Sequence, residues 1–170
     1  MIQSLLPAFT AELDSLCRAW LPRVADFDGW GFHENWSSDW KKEPDLHRFL
    51  VFQGRLTWVA GAVGLFYPDH KQVMAECALH GSRALMEVMW DKRYGGWWWM
   101  TELDGKPRQL THDQKHLYGL SFGLYGLASA LRLTGSPQVK AWLAVAVADG
   151  CVGKFKKPVA YALSKQKWLC

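Results

Sequence analysis

Few side chains in this sequence carry chemistry in a pattern that names it. Eleven tryptophans among 170 residues are the first signal. An indole is costly to leave in water, and its N–H needs a partner when buried. So many imply a thick core plus a concave surface where flat rings meet a ring-shaped ligand. Carbohydrate suits such a surface, because a sugar's C–H face packs on indole while its hydroxyls bond to polar neighbours. Arg55 is the second signal, a cation inside the apolar run from Leu46 to Phe66. A charge on a buried helix demands a reason: either a ligand's oxygens, or a loop carboxylate such as Asp28 or Asp39. Trp58 stands one turn further along, and both it and Tyr118 read equally well as core aromatics or as rings facing a ligand. Glu34, Asp39, Glu102 and Asp104 lie on loops. Two carboxyl groups facing each other across a cleft would hydrolyse glycosides, but nothing in the spacing of these four pairs them.

Other chemistries find less support. The six histidines read as polar or capping residues, and no His/Cys/Asp/Glu cluster has metal-ligand spacing. No metal and no cofactor are therefore expected, and no Gly-rich phosphate loop follows a strand. Cys17, Cys77, Cys151 and Cys170 show no CxxC. Cys17 and Cys77 fall on apolar helix faces, which suits reduced, buried thiols. No run of 18 or more apolar residues and no leader-like N-terminus occurs, so the expectation is a cytoplasmic protein with no membrane partner. The formal charge of +4 is unevenly placed. Up to Ser136, fourteen Lys and Arg face fifteen Asp and Glu, whereas six lysines beyond it face only Asp149. A nucleic-acid surface would put its cations on the folded body, so that partner is discounted.

The elements that must position these residues follow from hydrophobic periodicity. Over about 3–24, Leu6, Phe9, Leu13, Leu16, Cys17, Trp20 and Val24 recur at helical steps and form one stripe. Residues 25–44 read as an ordered Gly/Trp loop, with Pro44 and Asp45 starting the next helix. From Leu46 to Phe66 the apolar residues cover all sides, the pattern of a buried helix. The same order repeats at a spacing of roughly 65 residues. A one-sided helix over about 69–90 precedes the loop Tyr94-Gly95-Gly96-Trp97-Trp98-Trp99, which reads as a hairpin turning at Asp104-Gly105. In a hairpin, neighbouring rings of Trp97-Trp98-Trp99 take opposite faces, so at least one packs inward. A third element over about 113–133 is again apolar all round. Alternating outer amphipathic and inner buried helices predict an all-α chain forming part of an α/α toroid. A four-helix bundle would show similar stripes throughout. After Ser136 a third outer helix fits residues 137–148, but no further Gly/Trp loop appears. The chain thus divides into 1–136, the toroid part, and 137–170, a divergent basic tail, and it reads as truncated or frameshifted.

Four short motifs now fall in order. Gln53-Gly54-Arg55-Leu56-Thr57-Trp58 resembles the Gln-x-Arg-x-x-Trp signature of the N-acylglucosamine 2-epimerase family, which includes cellobiose 2-epimerases and mannose isomerases. His80-Gly81, then Asp91 with Gly95-Gly96-Trp97, resembles that family's second outer helix and loop. Lys115-His116-Leu117-Tyr118-Gly119-Leu120-Ser121-Phe122 resembles its Lys-x-x-Tyr-x-x-x-Phe element.

The resemblance covers roughly 1–136 and implies the N-terminal portion of an (α/α)6 barrel. It implies isomerase chemistry on a small-molecule sugar: a proton leaves C2 beside the open-chain carbonyl, an enediolate forms, and a proton returns. It makes Arg55 the catalytic and substrate-binding arginine that holds the sugar oxygens, with Trp58 and Tyr118 lining the same cleft. The family's two proton-exchanging histidines lie in the later half of the barrel, and none of the six here matches them. No acid–base role is carried onto any histidine, so catalysis by this chain itself does not follow. Two other readings stand beside this one: a toroid glycoside hydrolase, and a non-catalytic half-barrel that binds sugar or protein, whose signature would be a homodimer completing the ring.

Overall fold

The computed structural model describes residues 2–108 and 115–151. Five helices carry it: α1 (Ile2–Trp20), α2 (Leu50–Phe66), α3 (Lys71–Arg83), α4 (Leu117–Thr134) and α5 (Pro137–Cys151). Two short strands, β1 (Arg48–Phe49) and β2 (Met100–Thr101), pair antiparallel, with Arg48 opposite Thr101. The order outer, loop, inner is the one expected, and α5 adds a further helix against α4. Each element is also where periodicity placed it, with three differences.

The α2 helix starts at Leu50 rather than near Pro44. Asp45 does not cap it. Its carboxylate instead accepts the N–H groups of Glu34 and Asn35 at 2.9 and 3.1 Å, and Arg48 and Phe49 are drawn into the strand pair. Tertiary partners here outbid the local start signal. The second loop closes the expected hairpin, with Thr101 bridging Pro107 and Arg108 donating to the Met100 carbonyl, but it does not stand alone. Its strand β2 pairs with β1 from the first loop, so the two Gly/Trp loops are stitched together. The expected turn does form at Asp104-Gly105, where Gly105 donates to Glu102 and Glu102 to Lys106. Finally, the α1 stripe meets the core only from Leu13 onward, since Leu6 and Phe9 are exposed.

The two loops share one construction. In the first, Asp26 donates its N–H to the Gly31 carbonyl and Ala25 bridges Phe32. In the second, Asp91 donates to Gly96 and Trp90 bridges Trp97. Gly31 and Gly96 take φ of +68° and +79°, a conformation that favours glycine, and each delivers the next residue, Phe32 or Trp97, into the core. A cation just before each inner helix then clamps the loop's first aspartate: Arg48 Nη2 reaches Asp26 at 2.9 Å, and Lys115 Nζ reaches Asp91 at 2.5 Å. The repeat seen in sequence is therefore a repeat of hydrogen bonds.

The core sits between α2, α3 and α4. Small residues let α2 and α4 touch backbone to backbone: a Cβ on Gly54 would lie 2.6 Å from the Phe122 carbonyl oxygen. Gly123 faces the Trp97 ring in the same way, with ring carbons 2.7 Å from where its Cβ would be. Trp97 is the largest fully buried side chain, and its indole N–H donates to the Leu85 carbonyl at 2.8 Å. On the far side of α2, an apolar groove of about 390 Å3 separates it from α1, walled by residues such as Cys17, Phe52, Leu56 and Val63. Cys17 and Cys77 are free and buried, as expected, and burial pushes the Cys77 thiol up to about 12. The side chains of Cys151 and Cys170 lie outside the described residues. Among the described residues no helix is long and apolar enough to cross a membrane.

Candidate functional site

Helix geometry decides which side chains meet. Gly54 and Gly61 face α4, while Gln53, Thr57 and Ala60 face the interior toward α3 and the first loop. Arg55 and Trp58, one turn apart, are exposed on a face that no described element covers, with Arg55 also at the edge of the groove against α1. On α4, Tyr118, Phe122 and Tyr125 recur at steps of four and three and look out over the same open face. Arg55 lies 4.9 Å over the Phe122 ring, and Trp58 stacks on Tyr125 with centroids 4.8 Å apart and planes 13° from parallel. Tyr118 sits edge-on to Phe122 at 5.0 Å and against Trp99 at 6.4 Å. Arg55, Trp58 and Tyr118 thus come together on one surface, joined by three rings that sequence reasoning had not placed there: Phe122, Tyr125 and Trp99. The signal for two of them was present in the helical spacing from Tyr118.

This face differs from expectation in one respect. The inner helices are not buried on every side, because Trp58 is 36% exposed and Tyr118 57%. Arg55 is exposed as well, and among the described residues no carboxylate forms an ion pair with it. The alternative of an Arg55 pair with Asp28 or Asp39 is thereby corrected: Asp39 is taken by Lys41, and it is Arg48 that holds the first loop's carboxylates. A guanidinium over a ring with its N–H groups free is held by cation–π attraction and keeps its donors available for a ligand.

Below the open face lies a charged layer. Arg48, 3% exposed, reaches Asp45 at 2.5 Å as well as Asp26, and spreads over the Trp30 ring. His33 Nδ1 lies 2.7 Å from Asp45. Burial opposes ionisation of Asp45, but His33, the Glu34 N–H and Arg48 outweigh it and hold the carboxyl below its usual range. Asp91 is treated likewise: burial is overcome by Lys115 and by the N–H groups of Arg93 and Tyr94. Glu34 is the contrary case, where burial wins. Its Oε1 accepts from the Phe49 N–H at 2.5 Å and from Gln53 Nε2 at 2.9 Å, yet its pKa is raised to about 7.

The four loop carboxylates weighed for glycoside hydrolysis are each engaged locally. Glu34 is held as described, Asp39 pairs with Lys41, Asp104 with Lys106, and Glu102 approaches Arg108 at 3.7 Å. Nothing presents two of them across the open face. The histidines are scaffolding. His80 is buried with Nε2 against the Gly31 carbonyl at 2.9 Å, and burial lowers its pKa. His70 binds Asp14, His47 meets Arg108, and His116 lies against Trp99 at the start of α4. His112 lies outside the described residues. Of the consecutive tryptophans, Trp97 is core, Trp98 carries the Lys115 ammonium at 4.7 Å, and Trp99 borders the open face.

Comparison with known proteins accounts for this arrangement. The family model for N-acylglucosamine 2-epimerase (GlcNAc 2-epimerase) matches residues 31–166. The cellobiose 2-epimerase of Bacteroides fragilis is 24% identical over 119 residues, covering 70% of this chain and 29% of that protein. That of Dictyoglomus turgidum is 31% identical over 96 residues, 56% of this chain and 23% of the relative. This chain therefore spans under a third of the length of these relatives. Among solved structures, a cellobiose 2-epimerase from Bacillus thermoamylovorans superposes with a TM-score of 0.70 at 24% identity, covering 85% of this chain and 36% of that one. A D-mannose isomerase gives 0.67 at 22% identity over 81% of this chain and 33% of that one. The architecture is thus part of an (α/α)6 barrel, with α2 and α4 as inner helices. With the family model running over most of its length, and the four motifs seated on the inner helices α2 and the start of α4, the outer helix α3 and the second loop, the chain belongs to the N-acylglucosamine 2-epimerase family.

Proposed function

We propose that this chain supplies the carbohydrate-holding wall of a C2 epimerase or isomerase site, acting on an aldose or N-acylhexosamine. The observation that carries this reading is the convergence of Arg55, Trp58 and Tyr118 on one open face, with a guanidinium that no described carboxylate pairs lying beside exposed rings. In the reaction, a base removes the C2 proton, the C2–H electron pair moves into a C1–C2 double bond, and the carbonyl oxygen becomes an enediolate oxyanion. A fixed cation is worth most where that charge develops. Arg55 is placed for that role and the rings take the apolar faces of the sugar. No acid–base role is given to the described histidines, since His33, His47, His70 and His80 are bound to protein partners.

The remaining parts of the reading are proposals of the same standing. Buried, reduced Cys17 and Cys77 suit a cytoplasmic setting. No nucleic-acid partner is proposed, and the open inner face suits a homodimer. The division at Ser136 into a toroid part and a basic tail is kept too; limited proteolysis of the full chain, with a first cut near residue 136, tests it.

The test of the central claim is a tryptophan-fluorescence and NMR titration of the full chain with cellobiose, mannose and N-acetylmannosamine. Arg55→Ala should weaken binding by about 10- to 100-fold, the loss of a charge-assisted hydrogen bond worth about 1.5–3 kcal/mol, and Trp58→Ala should weaken it as well. Equal affinity in Arg55→Ala and the parent would remove the reading.

A further inference from the structure

The glutamine that precedes Arg55 by two residues has no place in the chemistry above, and its surroundings are unusually specific. Gln53 is fully buried on α2. Its Oε1 accepts the Phe32 N–H at 2.8 Å, and its Nε2 donates to the Phe32 carbonyl at 2.8 Å and to Glu34 Oε1 at 2.9 Å. One primary amide thus closes a two-way bridge onto the backbone of the first loop. Glu34 carries the tether on to the start of the helix by accepting the Phe49 N–H at 2.5 Å. Gly31 makes room for it, because a Cβ there would collide with Gln53 Oε1.

What this bridge controls follows from helix geometry. Two residues along an α-helix turn through about 200°, so the tethered amide and the Arg55 guanidinium point to opposite sides of α2. Two other hydrogen bonds reach α2, both at its backbone: Leu50 donates its N–H to the Trp99 carbonyl and Ser129 Oγ donates to the Trp58 carbonyl, each at 3.1 Å. Its other packing, on the α4 flank, the α3 side and the groove against α1, is largely apolar or glycine-to-backbone, which resists separation but is non-directional about the helix axis. The amide bridge is directional. At about 6 Å from the axis, a helix rotation of roughly 20° would carry a side chain about 2 Å around it, and displacements near 1 Å are enough to spoil a reacting geometry.

We propose that Gln53 is a positioning residue: its bridge to Phe32 and Glu34 sets the rotation of α2 and so aims Arg55 at the sugar. This rests on Arg55 holding the sugar, and the test separates the two claims. The first measurement needs no sugar. The Arg55 Nε–H resonance, with its guanidinium 4.9 Å over Phe122, carries a ring-current shift in the parent chain. In Gln53→Met, which keeps volume and removes the bridge, that shift should collapse toward the value of a free arginine, while amide signals of α3 and α4 stay in place. Sugar affinity should fall on the order of tenfold. Should Gln53→Met fail to fold, Gln53→Glu serves, since in its ionised form it keeps the volume but cannot donate to Phe32 or Glu34. Adding Glu34→Gln, which restores a donor between the two side chains, should then recover part of the Arg55 shift. A folded Gln53 variant with the parent's Arg55 resonance and affinity, showing only lower stability, overturns the proposal. If the parent binds no sugar while the Arg55 resonance still depends on Gln53, the positioning claim stands and the sugar reading fails.

Discussion

Replacing Gly54 with alanine tests the packing that the site is built on. An alanine Cβ would lie 2.6 Å from the Phe122 carbonyl oxygen and 2.8 Å from its carbonyl carbon, both backbone atoms that no rotamer change can move. Ordinary van der Waals contact begins near 3.4 Å, so α2 and α4 must part by about 0.8 Å at this crossing. Alanine is the better helix former by about 1 kcal/mol, whereas forcing a methyl into a filled contact costs about 1–3 kcal/mol. With backbone as the obstacle the upper part of that range applies, and the net loss is about 2 kcal/mol. For a chain of this size that lowers Tm by about 4–8 °C, readable by circular dichroism on the full chain. The site should respond too, since Arg55 rides on the ring of the displaced residue and the Trp58–Tyr125 stack spans the same two helices. The near-UV tryptophan signal should therefore weaken along with the Tm. Gly64→Ala is the comparison: the Leu133 methyl groups it meets can swing aside, which leaves the Met74 Cβ at 2.9 Å as the fixed obstacle, so the loss there should be smaller. A Gly54→Ala chain as stable as the parent, or more stable as propensity alone dictates, would refute the close approach of α2 and α4.

Two further outcomes follow from the charged layer. Burial raises Glu34 from an ordinary 4.5 to about 7, so between those values the folded chain holds a proton that the unfolded chain has released. On this group's account stability is greatest below the lower value and falls as pH rises through the upper one, by at most about 3 kcal/mol. Glu34→Gln keeps an acceptor for Phe49 and Gln53 and should flatten that slope in urea titrations at about pH 5 and about pH 8; identical slopes in the two proteins would count against it. Lys115 and Asp91 form a pair with side chains only 9% and 4% exposed. Lys115→Met should cost about 3–5 kcal/mol by stranding the carboxylate, and adding Asp91→Asn should recover a large part of it. A single-variant loss below about 1 kcal/mol would mean that water reaches Asp91.

The sequence by itself carried the helical layout and the family. Hydrophobic period separates the one-sided α3 from the nearly all-apolar α2, and motif spacing places Arg55, Trp58 and Tyr118, because both depend on residues close in the chain. Only the tertiary structure decided which cation takes which carboxylate: Arg48 holds Asp26 and Asp45, and no described carboxylate pairs with Arg55. Only it showed that β2 pairs with β1, that α2 therefore starts at Leu50 rather than at its Pro44-Asp45 signal, and that Gln53 grips Phe32 across twenty-one positions. Each of these is a contact between segments distant in sequence, fixed by where the backbone puts a donor opposite an acceptor. Residue type says that a buried charge or amide must find a partner; only the fold says which one lies within reach.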